Sequence, residues 1–544
     1  MSRHKTPRIP VTADRMRMIT VLAAGLVTVA VNAARPKIVV GIVVDGLRQE
    51  YIDLLRGSFG SNGFNRLLNN GIVLENVDYG PGLDATAATA VLMTGAAPSV
   101  NGVPSTNVYD NNGRRYVSVF NDGHTLGNFT DQTLSPAALR VTTISDEARI
   151  AGAGVSYSHA VALQPEMALA MAGHASNSAI WLNDRTANWA GSTAYPDFPA
   201  SISQRNRLKP LSSSIDTMQW TPSAASALTN HLPEHLMRYP FRHTFVRRDG
   251  KGMDAFVQSP MANREITRVA SEIVNTQQLG AHDGVTDMLN VAYTLLPYDY
   301  TKTPENRYEL IDSYIKLDAQ LADLFSTVDR SAGGSDNVLI YLAGTPPRTQ
   351  RRREDERWKI PSGEFSTRKA ISLLNLYLIA VHGNGEWVTA YSDGSFYLNE
   401  TLAKERNVPK AELQREAAAL LKRMAGVDQA FPIDDVLDGN APVDDPEALR
   451  RNTLVTATGD VIVQIIPGWE LLDDFNYPVN AAKGTVSQHA ATLAPAYLLI
   501  PGAEPAVVTA TVDARAIAPT VARQMHIRSP NGASQAPLHV SMRK

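Results

Sequence analysis

Nine residues, Lys37-Ile-Val-Val-Gly-Ile-Val-Val-Asp45, constrain this chain more than any others. An unbroken apolar, β-branched run has no polar face to offer water, so it reads as a strand buried on both sides. It stops at Asp45-Gly46, and a helical segment, Gln49–Leu55, follows. Strand-then-helix is the unit of a parallel α/β sheet, and such sheets place their sites beyond the carboxyl ends of their strands. Asp45 stands at that end; a cap for the following helix is the structural alternative.

Buried strands are also predicted at Val338–Leu342 and Ala496–Ile500, and helices at Glu265–Leu279, Tyr308–Val328, Arg368–His382 and Ala411–Met424. Residues 175–260, rich in Ser, Asn, Pro and aromatics, read as an irregular insertion. A second insertion is expected over 348–450, containing a short Ser395–Leu398 strand. The core is then 35–174, 261–347 and 451–544. With 544 residues, 44% of them hydrophobic, a large core is within reach.

At the amino end, Arg15 and Arg17 precede an apolar run from Ile19 to Val31, then Ala33-Ala34. This predicts a signal peptide over 1–34 and a periplasmic or secreted bacterial protein. The run is short for a retained span, so no stable membrane span is expected in the mature chain. The absence of cysteine removes disulfides, thiolate zinc sites and a cysteine nucleophile. A formal net charge of -3 gives no reason to expect nucleic acid as a partner.

Six segments, in order, resemble one family. They are Arg35–Arg48 with its Asp45-Gly46, Met93–Gly102, Ala172-Gly-His-Ala through Trp181, Asp312-Ser-Tyr-Ile-Lys-Leu-Asp318, Gly459-Asp460 through Pro467-Gly-Trp469, and Ile517–Val521 with Ser529–Gly532. Together they resemble the alkaline phosphatase superfamily, in particular phosphate-irrepressible alkaline phosphatases and nucleotide pyrophosphatase/phosphodiesterase relatives. The resemblance implies a three-layer sandwich with a mainly parallel central sheet and two insertions forming a cap. It also implies two zinc ions that clamp phosphate oxygens and activate a Thr or Ser hydroxyl.

The residues that would hold those ions are mostly different here. Asp45 matches the family's first aspartate. The nucleophile position falls on Ala85, flanked by Asp84 and Thr86; a shift of one residue would restore a hydroxyl at Thr86. Pro297 and Thr301 fall where an Asp-x-x-x-His pair is expected, with Asp299 the one nearby carboxylate. Thr345 and Pro346 replace an Asp-His pair, and proline has no ligand atom. His489 lies off the place of the last histidine. At the phosphate-binding positions, Gln164 and Glu166 replace Lys and Arg, and Thr106 replaces Asn. A carboxylate there repels a phosphate dianion.

The chain therefore reads as an exported phosphatase-fold protein without catalysis, binding an unknown protein or glycan, with no cofactor expected. The rival is a zinc-dependent phosphomonoesterase or phosphodiesterase with a rearranged site. It would use Thr86 as nucleophile and Asp45, Asp84, Asp299 and His489 as ligands. His231 and His235, separated by Pro233, read as structural, as does the helix end at His382-Gly383. The charged stretch Arg348–Arg357 reads as a solvated loop.

Overall fold

The computed structural model describes residues 35–543, apart from 111–112, 225–240, 248–250, 301–306, 347–362, 477–483 and 487–492. The expected leader, Thr301, His231, His235, His489 and the whole Arg348–Arg357 stretch lie outside the described residues.

The nine-residue run folds as a strand, Ile38–Asp45, with all eight residues buried. It lies inside an eleven-stranded sheet. Val338–Gly344 pairs parallel on one side of it and Asp287–Thr294 parallel on the other. Ser158–Ala162 and Ser178–Leu182 continue the parallel set. The flanks reverse: Ala494–Leu499 runs antiparallel to Val338–Gly344, and Trp189–Ser192 antiparallel to Ser178–Leu182.

Alternation along the first strand divides the interior in two. Ile38, Val40, Ile42 and Val44 face one core, built with the helices Pro260–Thr276 and Arg307–Ala332. Val39 and Val43 face the other, built with Ala85–Thr94, Pro165–Ala172 and Ile517–Gln524. Helices on both faces of one sheet make the three layers. Among the described residues no helix is long and apolar enough to cross a membrane.

Two expected boundaries move. The region read as an insertion from 175 contains two strands of the main sheet, Ser178–Leu182 and Trp189–Ser192. The aromatic content there reflects burial, since Trp181 and Trp189 are both core residues. The second insertion runs past 450. Its four-stranded sheet takes Val461–Ile465 between Ser395–Leu398 and Val427–Pro432, around a core of its own. The Gly459–Trp469 segment thus belongs to the smaller unit. That unit meets the main body through Tyr397 and Ala390 against Tyr109, and through Asn452, whose amide donates to the carbonyls of Tyr79 and Pro81.

Candidate functional site

Three adjacent parallel strands end together at Asp45, Gly344 and Thr294. The Thr345 amide donates to the Val44 carbonyl at 3.2 Å, and the Leu295 amide to the Asp45 carbonyl at 2.7 Å, so the segments leaving the sheet are pinned beside Asp45. Asp45 is buried, 8% exposed. The Thr345 hydroxyl, itself buried, donates to Asp45 Oδ1 at 2.6 Å. A threonine therefore sits against the carboxylate where the resemblance places an aspartate.

Asp84 precedes the helix Ala85–Thr94 and caps it. Its Oδ1 accepts from the Ala87 amide at 2.9 Å and its Oδ2 from the Thr106 amide at 2.7 Å. Ala85 is the first helical residue and Thr86 the second. Thr86 is fully buried, and its hydroxyl shares a 2.8 Å hydrogen bond with that of Thr106. Asp84, Thr86 and Thr106 thus form one polar cluster at the helix start.

Glu166 lies in the first turn of the helix Pro165–Ala172 and is 8% exposed. Burial pushes its carboxyl above the usual range; a hydrogen bond with Ser118 opposes the shift, and the negative charges of Asp84 and Asp184 add to it. Glu166 thus lies within electrostatic reach of Asp84. Gln164, just ahead of this helix, is exposed. Ser118 comes from a separate hairpin, and nothing local in the sequence signals that it meets Glu166.

The other predicted positions are scattered. Pro297 is half-buried past the end of the Asp287–Thr294 strand, and Asp299 is exposed, with its amide donating to the Gln258 side chain. The strand stops at Thr294, so Pro297 and Asp299 both lie beyond it. Pro346 follows Thr345 and is half-buried.

The family-like motifs hold the frame. Tyr314 Oη accepts from the Arg48 amide at 2.9 Å, and Asp318 accepts from the Gly60 and Phe64 amides at 2.8 and 2.7 Å. Asp312 accepts from Trp220 Nε1 and the Ser223 amide, both at 2.6 Å. In the Ala172-Gly-His segment, Asp146 Oδ1 accepts from the His174 and Ala175 amides. Gly173 has φ +66°, and an added Cβ would lie 2.3 Å from Thr143 Oγ1. Thr143 and Asp146 form a capping box, and the Thr-x-x-Asp spacing was its readable signal.

Two zinc ions need several carboxylate or imidazole ligands each. Among the described residues no three His, Cys, Asp or Glu side chains come together in a way that could hold a metal ion. Asp84 spends both oxygens on backbone amides, Asp45 takes the Thr345 hydroxyl, and Asp299 faces solvent. Among the described residues these carboxylates do not gather into a group of metal ligands.

A fold of this topology, with helices on both faces of a mainly parallel sheet and an aspartate at the end of a central strand, is that of the phosphatase and phosphodiesterase superfamily. The chain belongs to the type I phosphodiesterase / nucleotide pyrophosphatase family, whose model matches residues 39–345. It is 26% identical over 531 residues to alkaline phosphatase PhoV of Synechococcus elongatus, spanning 92% of each chain. It is also 26% identical over 435 residues to alkaline phosphatase PafA of Elizabethkingia meningoseptica, spanning 75% of this chain and 77% of that one. The crystal structure of PafA superposes with a TM-score of 0.80 at 23% identity, covering 93% of this chain and 98% of that one.

Proposed function

We propose that this is a non-catalytic member of the family, exported from a bacterial cell, which binds a ligand at the strand ends around Asp45 without hydrolysing a phosphate ester. The observation that carries the reading is the 2.6 Å hydrogen bond from Thr345 to Asp45. It gives the one retained metal-type carboxylate a neutral hydroxyl neighbour in place of a second carboxylate. A divalent cation gains little from a hydroxyl compared with an anionic ligand.

Two local spacings support parts of the site alignment. A solved variant of PafA carries substitutions at a threonine, at an asparagine twenty-one residues later, and at a lysine and an arginine two residues apart. Ala85 and Thr106 are also twenty-one residues apart, and Gln164 and Glu166 two apart. On this alignment the threonine becomes Ala85, which has no nucleophilic atom, and the arginine becomes Glu166. A buried carboxyl beside Asp84 disfavours a phosphate dianion. The ligand that suits hydroxyls and a buried acid is uncharged and rich in hydroxyl groups, as a glycan is, or is a segment of another protein.

The names of PhoV and PafA keep hydrolysis as the rival reading. It rests on Thr86, but that hydroxyl is fully buried and already paired with Thr106. Zinc titration of metal-stripped protein, followed by assay with p-nitrophenyl phosphate and its bis ester, separates the two. The proposal expects no tight stoichiometric zinc and no turnover. Tight binding with turnover that Thr86→Ala abolishes would replace it by the hydrolase reading.

A further inference from the structure

The helix Thr367–His382 is apolar on two faces. One face, with Ile371, Leu374 and Leu378, is buried in the core of the smaller unit. The opposite face exposes Leu373, Leu376, Tyr377 and Val381 at 52, 67, 38 and 49%, with Ala380 exposed between them. Isolated exposed apolar residues are ordinary, but four large ones on nine consecutive helical residues form a patch.

Its charges are also unusual. The first turn holds Arg368 and Lys369 and no acidic residue, and no acidic residue occurs anywhere in the helix. Cations at a helix amino end oppose the helix dipole. Arg368 is held by the Asp474 carbonyl. Lys369 is exposed and makes no ion pair among the described residues.

We propose that this face is a self-association surface, pairing with the same helix of a second copy in antiparallel fashion about a two-fold axis between Leu376 and Tyr377. Three features select that occupant. Residues 373, 376 and 380 have the alternating three-four spacing of helices that pack along their length. A two-fold at that point sets Leu373 against the partner's Ala380, large against small, and Leu376 against the partner's Tyr377. It also brings Lys369 to the carbonyl end of the partner's helix, where a cation is favoured. An isologous contact of this kind closes at two subunits. Sixteen residues make a helix about 24 Å long. One such face offers less than the roughly 800 Å² per partner of a standard interface, so the dimer is weak and concentration-dependent.

Sedimentation velocity of the full chain over a wide concentration range tests this, with Leu376→Glu, Lys369→Glu and, as a control, Leu208→Glu, another strongly exposed leucine. Each variant is first checked for a wild-type unfolding midpoint. The expected result is a monomer–dimer transition in the wild type and in Leu208→Glu. Leu376→Glu should weaken it at least about tenfold, and Lys369→Glu measurably less. A wild type that stays monomeric throughout overturns the proposal, as does equal association of wild type and Leu376→Glu. So does Leu376-dependent pelleting on phosphatidylcholine/phosphatidylglycerol vesicles by a protein monomeric in solution, which would assign the face to lipid.

Discussion

Asp45 is a buried carboxylate at the end of a central strand. With Thr345 donating to one oxygen, the side chain is satisfied by the protein itself. Removing that donor by Thr345→Ala should cost about 1.5–3 kcal/mol of stability, the range for a hydrogen bond to a charged group. A shift in the urea midpoint measures it. The same substitution should leave any metal content unchanged. His159 makes a second residue-level case. It is fully buried on a central strand; its Nδ1 pairs with the Ser178 hydroxyl at 2.8 Å and its Nε2 has no partner. Burial, with Arg149 nearby, lowers its pKa from 6.5 to about 3. The unfolded chain therefore takes up this proton first as pH falls. The stability His159 holds above about pH 6.5 should decline between there and pH 3, by about 5 kcal/mol at the acid end. Unfolding titrations at several pH values check the slope, and His159→Gln should flatten it by one proton. Nothing in the sequence around His159 marks it as buried and neutral, because its environment comes from strands distant in the chain.

At the scale of elements, legibility followed local pattern. The first strand, the helix Gln49–Leu55 and the strand Ser395–Leu398 fall where their own residues place them, because apolar runs and 3.6-residue periodicity are local signals. Direction is not local: the strand Ala494–Leu499 has the buried composition of its neighbours yet runs antiparallel. The strands Ser178–Leu182 and Trp189–Ser192 were masked by the turn-rich sequence around them. Capping and coordination use the same carboxylate, and Asp84, a ligand in the hydrolase reading, here accepts from two backbone amides and caps a helix. Asp84→Ala should cost about 1–2 kcal/mol as a lost N-cap. Asp318→Ala should cost about 2–3 kcal/mol, since it strands the amides of Gly60 and Phe64, and Phe64 is buried. Chemical denaturation of both variants tests this, and neither should alter the folded circular dichroism spectrum.

Across the whole molecule, the resemblance lay in segments that build the frame rather than in those that face the cleft. Tyr314, Asp318 and the Gly173-His174 turn each tie together segments distant in the chain. Gly41 shows how tightly that frame is drawn: a Cβ there would lie 2.3 Å from Tyr341 Oη and 2.4 Å from Asn290 Oδ1. Gly41→Ala should accordingly cost at least about 3 kcal/mol or prevent folding, read out as soluble yield and unfolding midpoint. Export is the whole-molecule consequence of the proposed leader. Amino-terminal sequencing of periplasmic material should begin near Ala34 or Arg35.

We infer that the strand end at Asp45 holds no metal for ester cleavage. The most direct test is zinc content per chain, by inductively coupled plasma mass spectrometry, on protein purified without chelator and re-equilibrated with zinc. Far less than one ion per chain is predicted. Two ions per chain, lost on Asp45→Asn and accompanied by phosphate-ester hydrolysis, would contradict it.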